Sequence, residues 1–421
     1  MNHLSYMEKL LDGVEVEWKK LADVFQLKNG YTPSKSKKEF WENGTVPWFR
    51  MDDIRENGQI LDESLQKVSE SAIKGGKLFP ENSIIIATSA TIGEHALIRV
   101  PFLANQRFTN LSLKPVYKDT FNNKFIFYYC FMLADWCKKN TTMSSFASVD
   151  MDGFKKYPFP IPCPNDPKKS LEIQAKIVRI LDAFTAMTAE LTAELTAELN
   201  MRKKQYNYYR DQLLSFEEGE VEWRALSEIA EYSKARISYT ELDDSNYVGV
   251  ESLLQNRAGK IDSTRTPDSG NLTQYNPDDI LIGNIRPYLK KIWHADRVGG
   301  TNGDVLVVQT TDTAINPRYL YQVLADDKFF EYNMQHAKGA KMPRGNKPKI
   351  MEYLVPIPFA SNREKSLSEQ ERIVTILDKF DTLTSSITEG LPREIELRQK
   401  QYEYYRDLLL SFPKPHSDEA A

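Results

Sequence analysis

The stretch K-Q-Y-N-Y-Y-R-D-Q-L-L-S-F at 204–216 returns almost unchanged as K-Q-Y-E-Y-Y-R-D-L-L-L-S-F at 400–412. Two upstream pairs keep the same offset of 196 residues (400 minus 204). These pairs are Y-P-F-P-I-P at 157–162 with Y-L-V-P-I-P at 353–358, and K-I-V-R-I-L-D-A-F at 176–184 with R-I-V-T-I-L-D-K-F at 372–380. An offset held from residue 157 to residue 216 indicates an internal duplication.

Both copies predict long helices, because apolar residues recur at spacings of three and four. The expected buried stripe contains Ile177, Ile180, Leu181, Phe184, Met187, Leu191 and Leu195, then Leu199, Tyr206, Tyr209, Leu213 and Phe216; in the second copy it contains Ile373, Ile376, Leu377, Phe380, Leu383 and Ile387, then Tyr402, Tyr405, Leu409 and Phe412. Ser170 and Ser366 follow proline-rich segments and are the expected N-caps. We expect a kink or break at Gly390-Leu391-Pro392.

The first helix contains one four-residue word three times, T-A-E-L-T-A-E-L-T-A-E-L at 188–199. Four residues slightly exceed one helical turn, so the repeat predicts a rod of similar turns. The spacer residues assigned to its buried stripe are Thr188, Leu191, Thr192, Leu195, Thr196 and Leu199, with Glu190, Glu194 and Glu198 facing away.

The segments between the copies resemble each other only faintly. Each begins with V-E-W, at 16–18 and 221–223, and β-rich runs such as 83–88, 280–282 and 305–308 alternate with turn residues, which predicts two α/β units. The beginning of the chain, S-Y-M-E-K-L-L at 5–11, is similar to 208–214, so the repeat is quasi-cyclic. The predicted domains are 1–14, a helical segment completing the repeat; 15–158, a first variable domain; 159–216, the central helix; 217–352, a second variable domain; and 353–421, the C-terminal helix and tail.

The composition is ordinary for a soluble protein, with 41% hydrophobic and 27% charged residues in 421 and a net charge of −4. Three cysteines without metal-ligand spacing favour a reducing cytoplasm. No run approaches 18 apolar residues and no signal segment follows Met1, so we expect a cytoplasmic protein without a membrane partner.

One stretch of the chain is strongly basic, although the net charge of the whole chain is negative. Residues 336–349 read H-A-K-G-A-K-M-P-R-G-N-K-P-K, with five Lys or Arg and no acid. Interspersed Gly and Pro exclude a regular helix or a central strand, so we expect a basic loop. Such a loop suits phosphate contact, and a merely solvated loop is an equally open alternative.

No motif for catalysis is recognisable. A phosphate loop, a nucleophile elbow and a zinc-binding helix motif are all missing, and the five histidines are scattered. The acidic pairs Asp52-Asp53 and Asp278-Asp279 each lie before an apolar segment, where turn or cap duty is the simpler interpretation. We therefore predict no catalytic residue and no metal ligand in this chain.

Two variable domains separated by two near-identical helices resemble the DNA specificity subunit of type I restriction–modification systems. The first domain's G-Y-T-P-S-K-S-K-K-E-F-W-E-N-G-T-V-P-W-F-R-M-D-D-I at 30–54 is similar to the opening of a target recognition domain in that family. The second domain's D-D-I-L-I-G-N-I-R-P-Y-L-K-K-I-W at 278–293 is similar to a later strand motif, although this domain lacks G-x-T-P-S near residue 235. The repeated T-A-E-L resembles the subgroup called type IC.

The resemblance implies an α/β (α+β) fold with two target recognition domains in a pseudo-two-fold arrangement, separated by two long antiparallel coiled-coil-like helices. It implies a non-catalytic subunit that recognises a bipartite, asymmetric target in double-stranded DNA. Two modification subunits would methylate adenine and restriction subunits would cleave. S-adenosylmethionine, ATP and Mg are expected on those partner subunits, and no cofactor is expected in this chain.

Base edges and phosphates are contacted by Lys, Arg and small polar side chains. The candidate DNA-binding residues are Tyr31, Thr32, Ser34, Lys35, Lys37, Thr88, Ser89 and Thr91 in the first domain, and Asn284, Arg286, Tyr288, Lys290, Lys338, Lys341, Arg344 and Lys347 in the second. Arg286 and Arg344 suit guanine and Asn284 suits adenine. For each residue the alternative is an ordinary surface polar side chain. For the tyrosine stripes we prefer helix packing to base stacking.

The T-A-E-L word suggests a ruler. Each word adds roughly 6 Å and about 40° beyond a full turn, whereas one B-DNA step rises roughly 3.4 Å and turns roughly 34–36°. We hypothesise that the number of words sets the unread spacer between the two half-sites. Two alternatives from other classes are a coiled-coil protein scaffold (or a stand-alone DNA-binding protein) and an enzyme with an unrecognised site.

Overall fold

The computed structural model describes residues 6–143, 147–216, 221–386 and 389–413. The chain divides into two compact units. The first unit consists of Met1–Ala189 together with Gln399–Ala421, and the second consists of Glu190–Arg398. The division falls inside the T-A-E-L repeat, while the predicted domain boundaries stay predictions. Residues 1–5, 387–388 and 414–421, which include parts of the expected terminal segments and Ile387 of the expected stripe, lie outside the described residues. None of the described helices is long and apolar enough to cross a membrane.

The described part of the first unit is built mainly on a five-stranded and a three-stranded sheet, to which two two-stranded ladders are added. Its strands are β1 (Val16–Lys20), β2 (Phe25–Asn29), β3 (Val46–Phe49), β4 (Ile60–Leu61), β5 (Lys67–Val68), β6 (Ser83–Ala87), β7 (His95–Ile98), β8 (Leu103–Ala104), β9 (Phe108–Leu113), β10 (Thr141–Met143), β11 (Ala147–Val149) and β12 (Pro158–Pro162). One sheet has the order β2-β9-β6-β7-β4 and the other β5-β3-β8, with β3 and β8 parallel. Every residue of β6 is buried, which explains its uninterrupted apolar character.

The second unit repeats this topology. Its strands are β13 (Val221–Ala225), β14 (Ala230–Tyr232), β15 (Arg236–Ser238), β16 (Tyr247–Val248), β17 (Asn271–Tyr275), β18 (Ile280–Gly283), β19 (Ile292–His294), β20 (Gly299–Thr301), β21 (Val305–Thr310) and β22 (Leu354–Pro358). The order β14-β21-β18-β19 matches β2-β9-β6-β7, and the parallel pair β16 and β20 matches β3 and β8. The duplication therefore extends into the segments whose sequences have diverged.

The helices connect and cover these sheets. They are α1 (Tyr6–Leu11), α2 (Leu21–Val24), α3 (Met51–Asn57), α4 (Asn123–Lys139), α5 (Met151–Lys156), α6 (Pro167–Leu213), α7 (Leu226–Ile229), α8 (Pro317–Leu324), α9 (Asp327–Gln335), α10 (Lys347–Met351), α11 (Arg363–Ser385) and α12 (Gly390–Leu410). The expected mixed helix and sheet class and the long helical spacer are confirmed. The expected break in the second copy is confirmed too: α11 ends at Ser385, and Gly390 opens α12 with a φ of 75°, a left-handed backbone suited to glycine.

The expected N-caps are wrong. Ser170 and Ser366 lie inside the first turns of α6 and α11, fully buried. The caps are the residues four positions earlier: Asp166 Oδ1 accepts a hydrogen bond from the Lys169 amide at 3.0 Å, and Asn362 Oδ1 accepts one from the Lys365 amide at 3.1 Å. In α6 the helix begins before the expected position because Pro167 is tolerated in a first helical turn; α11 begins at Arg363 and has no proline there.

The expected stripe is wrong at Met187, Tyr209 and Tyr405, which are 60%, 39% and 42% exposed, and at Thr196, which is exposed as well. A repeat of four residues advances by about 40° around the helix with each word. Equivalent residues of successive words therefore turn gradually away from the buried side of the helix. Thr188 and Thr192 are half-buried, whereas Thr196 has turned toward solvent and donates to the Thr192 carbonyl at 2.7 Å. Met187 lies about 120° around the helix from buried Leu181.

Each unit joins the beginning of one helical copy to the end of the other. In the first unit Phe184 contacts Tyr405, with ring centroids 6.1 Å apart. In the second unit Phe380 stacks on Tyr206 at 5.8 Å and on Tyr209 at 5.4 Å. The tyrosine stripes therefore pack between helices, as we preferred.

A buried glutamine fastens the helix of each unit to its recognition domain. Gln370 accepts from the Asn316 amide at 2.8 Å and donates to the Ala314 carbonyl and to Ser366 Oγ, both at 3.0 Å. Gln174 makes the same three kinds of bond, to the Asn122 amide, the Thr120 carbonyl and Ser170 Oγ. Both glutamines are fully buried, so each group left without its partner would carry a desolvation cost.

We predict that Gln370→Leu destabilises the second unit by about 1–2 kcal/mol, because the half-buried Asn316 amide and Ala314 carbonyl lose their partner. Hydrogen exchange should show faster exchange at the Asn316 amide. Thr375→Ala, at an exposed position of the same helix, serves as the control. Unchanged protection at Asn316 would contradict this role.

His95 makes the first unit sensitive to acid. Its ring is buried against Phe127 and Phe131, and burial lowers the pKa of His95 to about 4 from 6.5. The unfolded chain therefore binds a proton between about pH 6.5 and pH 4 that the folded unit excludes, so stability falls as the pH falls through this window. The full loss is roughly 3 kcal/mol.

We predict that His95→Leu removes this loss from urea unfolding of the first unit measured between pH 7.5 and pH 4.5. The second unit provides an internal reference, because burial also lowers the pKa of His294 to about 4 and the variant leaves His294 in place. An unaltered pH dependence of the first unit would show that His95 does not determine it.

Candidate nucleic-acid interface

A cleft of about 760 Å³ opens on the first unit beside the turn that joins β8 to β9. It contains five basic and two acidic side chains together with amides and two tryptophans. The lining residues are Thr32, Lys35, Lys38, Trp41, Glu42, Trp48, Arg50, Met51, Asp52, Arg55, Gln66, Thr91, Asn105, Gln106, Arg107 and Phe108. A concave surface with this charge balance suits a polyanion.

The walls of the cleft are held by local contacts. Gly30 lets the loop that follows β2 approach β8, since a Cβ there would lie 2.3 Å from the carbonyl oxygens of Ala104 and Asn105. Asp53, expected to serve as a cap, accepts hydrogen bonds from the amides of Arg50 and Leu65, both at 2.6 Å. Burial, its largest influence, raises the pKa of Asp53 above its usual value.

The structure brings only some of the first-domain candidates together. Thr32, Lys35 and Thr91 line the cleft, while Ser34 and Lys37 are exposed on the same loop, where Ser34 Oγ lies 2.8 Å from Ser36 Oγ. Tyr31 has a structural environment: its hydroxyl donates to the Ala72 carbonyl at 3.0 Å and accepts from the Lys74 amide at 2.9 Å.

The two remaining candidates of the first domain lie at its strand ends. Thr88 Oγ1 is 3.1 Å from Thr109 Oγ1 on the neighbouring strand, and Ser89 forms an isolated bridge with Ser148. Neither lines the cleft.

Sequence reasoning missed Lys38, Arg50, Arg55, Gln106 and Arg107. Lys38 is in the stretch quoted for its motif, but no periodicity distinguished it. Gln106 and Arg107 stand between two apolar strands, in L-A-N-Q-R-F at 103–108, and that interruption was the only available signal.

In the second unit the basic stretch forms a small hairpin. The amide and carbonyl groups of Lys338 and Arg344 exchange hydrogen bonds of 2.9 and 2.8 Å. The hairpin lies against the loop that follows β18, because the Arg286 amide donates to the Pro343 carbonyl at 2.7 Å and the Gly345 amide to the Asn284 carbonyl at 3.0 Å. Two candidate groups that are fifty residues apart in sequence thus share one surface.

The exposed candidates of this surface are Arg286, Tyr288, Lys338, Lys341, Arg344 and Lys347. Lys347 opens α10, so the expectation of a loop throughout 336–349 is wrong for its last three residues. Pro348 stands in the first turn of that helix, where proline needs no N–H partner.

One candidate of this unit is buried and another is paired. Asn284 is 5% exposed beneath Gly345, and its Oδ1 is buried without a hydrogen-bond partner among the described residues. Lys290 forms an ion pair with Asp327 at 2.8 Å, and Arg257 binds the same carboxylate at 2.7 Å. Burial alone would raise the pKa of Asp327, but these two cations bring that pKa below its ordinary value.

Asp279, expected in a turn, accepts from the Asn276 amide at 2.8 Å and from Gln309 Nε2 at 2.7 Å. Within the described ranges, no group of three or more His, Cys, Asp or Glu could hold a metal ion.

Comparison with known proteins identifies the class. A family model described as "Type I restriction modification DNA specificity domain" matches residues 13–201 and 218–397, so the chain belongs to this family. The two matched regions confirm two recognition domains. The chain is a specificity subunit of a type I restriction–modification system and not itself an enzyme, and the scaffold alternative is not favoured.

Two relatives come from Escherichia coli. The chain is 52% identical to the "Type I restriction enzyme EcoprrI specificity subunit" over 92% of this chain and 93% of the relative. It is 34% identical to the "Type I restriction enzyme EcoR124I/EcoR124II specificity subunit" over 99% of both chains. A solved structure described as "Structural basis underlying complex assembly and conformational transition of the type I R-M system" shares the fold, with a TM-score of 0.61, 13% identity, and coverage of 94% of this chain and 96% of that one.

We predict that Lys338→Ala combined with Lys341→Ala weakens duplex binding at every sequence and lowers the slope of log affinity against log salt by about two, because two phosphate contacts are lost. Binding would be measured on one duplex across a salt series. Lys349→Ala is the matched control, since it removes the same charge from the same stretch but its ammonium is paired with Glu352 at 2.6 Å. Equal slopes for both variants would contradict the assignment.

Proposed function

We propose that each unit reads one block of a split, asymmetric target in double-stranded DNA and thereby directs adenine methylation by modification subunits and cleavage by restriction subunits. The proposal rests on one observation: the two units share one strand topology but present different polar side chains at their surfaces. The cleft of the first unit presents Gln106 and Arg107, whereas the second unit presents Arg344 on its hairpin and Arg286 on the loop that follows β18. Equivalent frameworks with unlike side chains suit two unlike half-sites.

The partners follow from the family. Specificity subunits of type I systems assemble with modification and restriction subunits, and two modification subunits are proposed here because the helical segment is present twice. S-adenosylmethionine, ATP and Mg belong to those partners, and the complex works in the cytoplasm. The three T-A-E-L words support membership of the type IC subgroup.

The test is a methylation map. The chain is expressed with its modification partner in a host without DNA methylation, and methyladenine is located by single-molecule sequencing. We expect one asymmetric motif made of two short blocks and a fixed gap. Methylation without a split motif would overturn the two-block proposal, and a stable complex that methylates nothing would favour a scaffold.

The spacer hypothesis gives a separate prediction. Deleting one word, Thr192 to Leu195, shortens α6 by roughly 6 Å and rotates its end by about 40°, and we expect the gap in the methylated motif to shrink by one base pair. The break between α11 and α12 takes up the change in length in the other helical copy. Thr192→Ala, which keeps the length, is the control, and an unchanged gap in the deletion variant would refute the ruler.

A further inference from the structure

Two turns occupy the same place in the two units. Asn105–Arg107 joins β8 to β9, and Asn302–Asp304 joins β20 to β21. In each, the asparagine Oδ1 accepts from the amide two residues later at 3.0 Å. In each, the carbonyl of the third residue accepts from the residue that follows the central strand: Thr88 at 3.0 Å in the first unit and Asn284 at 2.8 Å in the second.

The turns differ in what they present. The first carries Gln106 and Arg107, both exposed at the edge of the basic cleft. The Gln106 Oε1 accepts a hydrogen bond from the Thr32 hydroxyl, which fixes the amide while leaving its N–H donors and one lone pair. Among the described residues the Arg107 guanidinium has no ion-pair partner. An amide held in place beside a guanidinium that no described acidic side chain pairs with can form hydrogen bonds with adenine and guanine edges respectively.

The second turn carries Gly303 and Asp304 instead. A Cβ at Gly303 would meet nothing within 4 Å, so no side chain fills the space that corresponds to Gln106. Asp304 Oδ1 is 3.0 Å from Nη1 of Arg344, which comes from the hairpin. The guanidinium in this unit is therefore supplied by another element and oriented by the turn.

We propose that Gln106 and Arg107 are specificity-determining residues of the first recognition domain, and that in the second domain Arg344 takes this role with Asp304 as its positioning residue. The proposal rests on the proposed function. Thr32, a candidate for direct DNA contact, acts by holding Gln106. Arg107 and Arg344 each read a guanine, and Gln106 reads an adenine.

The test compares methylation maps of complexes containing the full-length chain. Gln106→Ala and Arg107→Ala should each lower the preference for one base pair in one block by roughly 5- to 150-fold and leave the other block unchanged. Arg344→Ala should relax only the other block. Lys118→Ala, an exposed cation outside the cleft, is the matched control and should leave both blocks intact.

Conservative variants distinguish a loss of base recognition from a loss of folded structure. Arg107→Lys keeps the charge but loses the bidentate fork, so it should relax the same base pair as Arg107→Ala. Asp304→Asn should relax the position read by Arg344, and its effect should not add to that of Arg344→Ala, as expected for residues acting together.

Unaltered blocks in the Arg107 variants would overturn the proposal for the first domain, and additive effects of Asp304→Asn and Arg344→Ala would overturn it for the second. A wild-type map without a split motif would instead refute the proposed function, so the two failures are distinguishable.

Discussion

The constraint on which both units depend is a strand that can pair along one edge only. Prolines at every second position of β12, Pro158, Pro160 and Pro162, remove the N–H groups from one side of the strand, and those of Phe159 and Ile161 remain for a single partner. That partner is β1, whose Val16 to Lys20 pair with Pro162 to Pro158. β13 and β22 pair in the same register, and β22 keeps two of the three prolines, Pro356 and Pro358. In each unit a single two-stranded ladder therefore joins the beginning of the recognition segment to its end. The sequence between the two ladder strands is free to diverge.

The ladders lead directly into the conserved helices, and these complete the units crosswise. The start of α6 packs with the end of α12, and α11 packs with the end of α6, through Phe184 with Tyr405 and Phe380 with Tyr206. A change in one helical copy therefore affects both units, which explains why the two copies stayed nearly identical. The recognition segments carry no such mutual restraint. We propose that specificity resides in turns and a hairpin supported by the strands.

Much of the framework could be predicted from the sequence, because the duplication, the helical period and the break before Gly390 are local patterns. The caps at Asp166 and Asn362 were missed by four residues; in the first copy the reason is that a proline, Pro167, can stand inside a first helical turn, whereas α11 begins at Arg363 without one. The candidate DNA-binding residues of the cleft and the hairpin were predicted least well. Whether a polar side chain faces solvent depends on tertiary contacts, such as the hairpin that covers Asn284, and a two-residue turn such as Gln106-Arg107 has no periodicity to reveal it.

We infer that the ladders hold interchangeable recognition segments on a constant framework. The most direct measurement is the methylation map of a chain in which residues 226–353 replace residues 21–157, so that the graft begins after Lys20 and ends before Pro158. We expect two blocks that specify the same bases, separated by a fixed gap. A map that retains the original first block, or a complex that assembles but methylates no two-block motif, would contradict it.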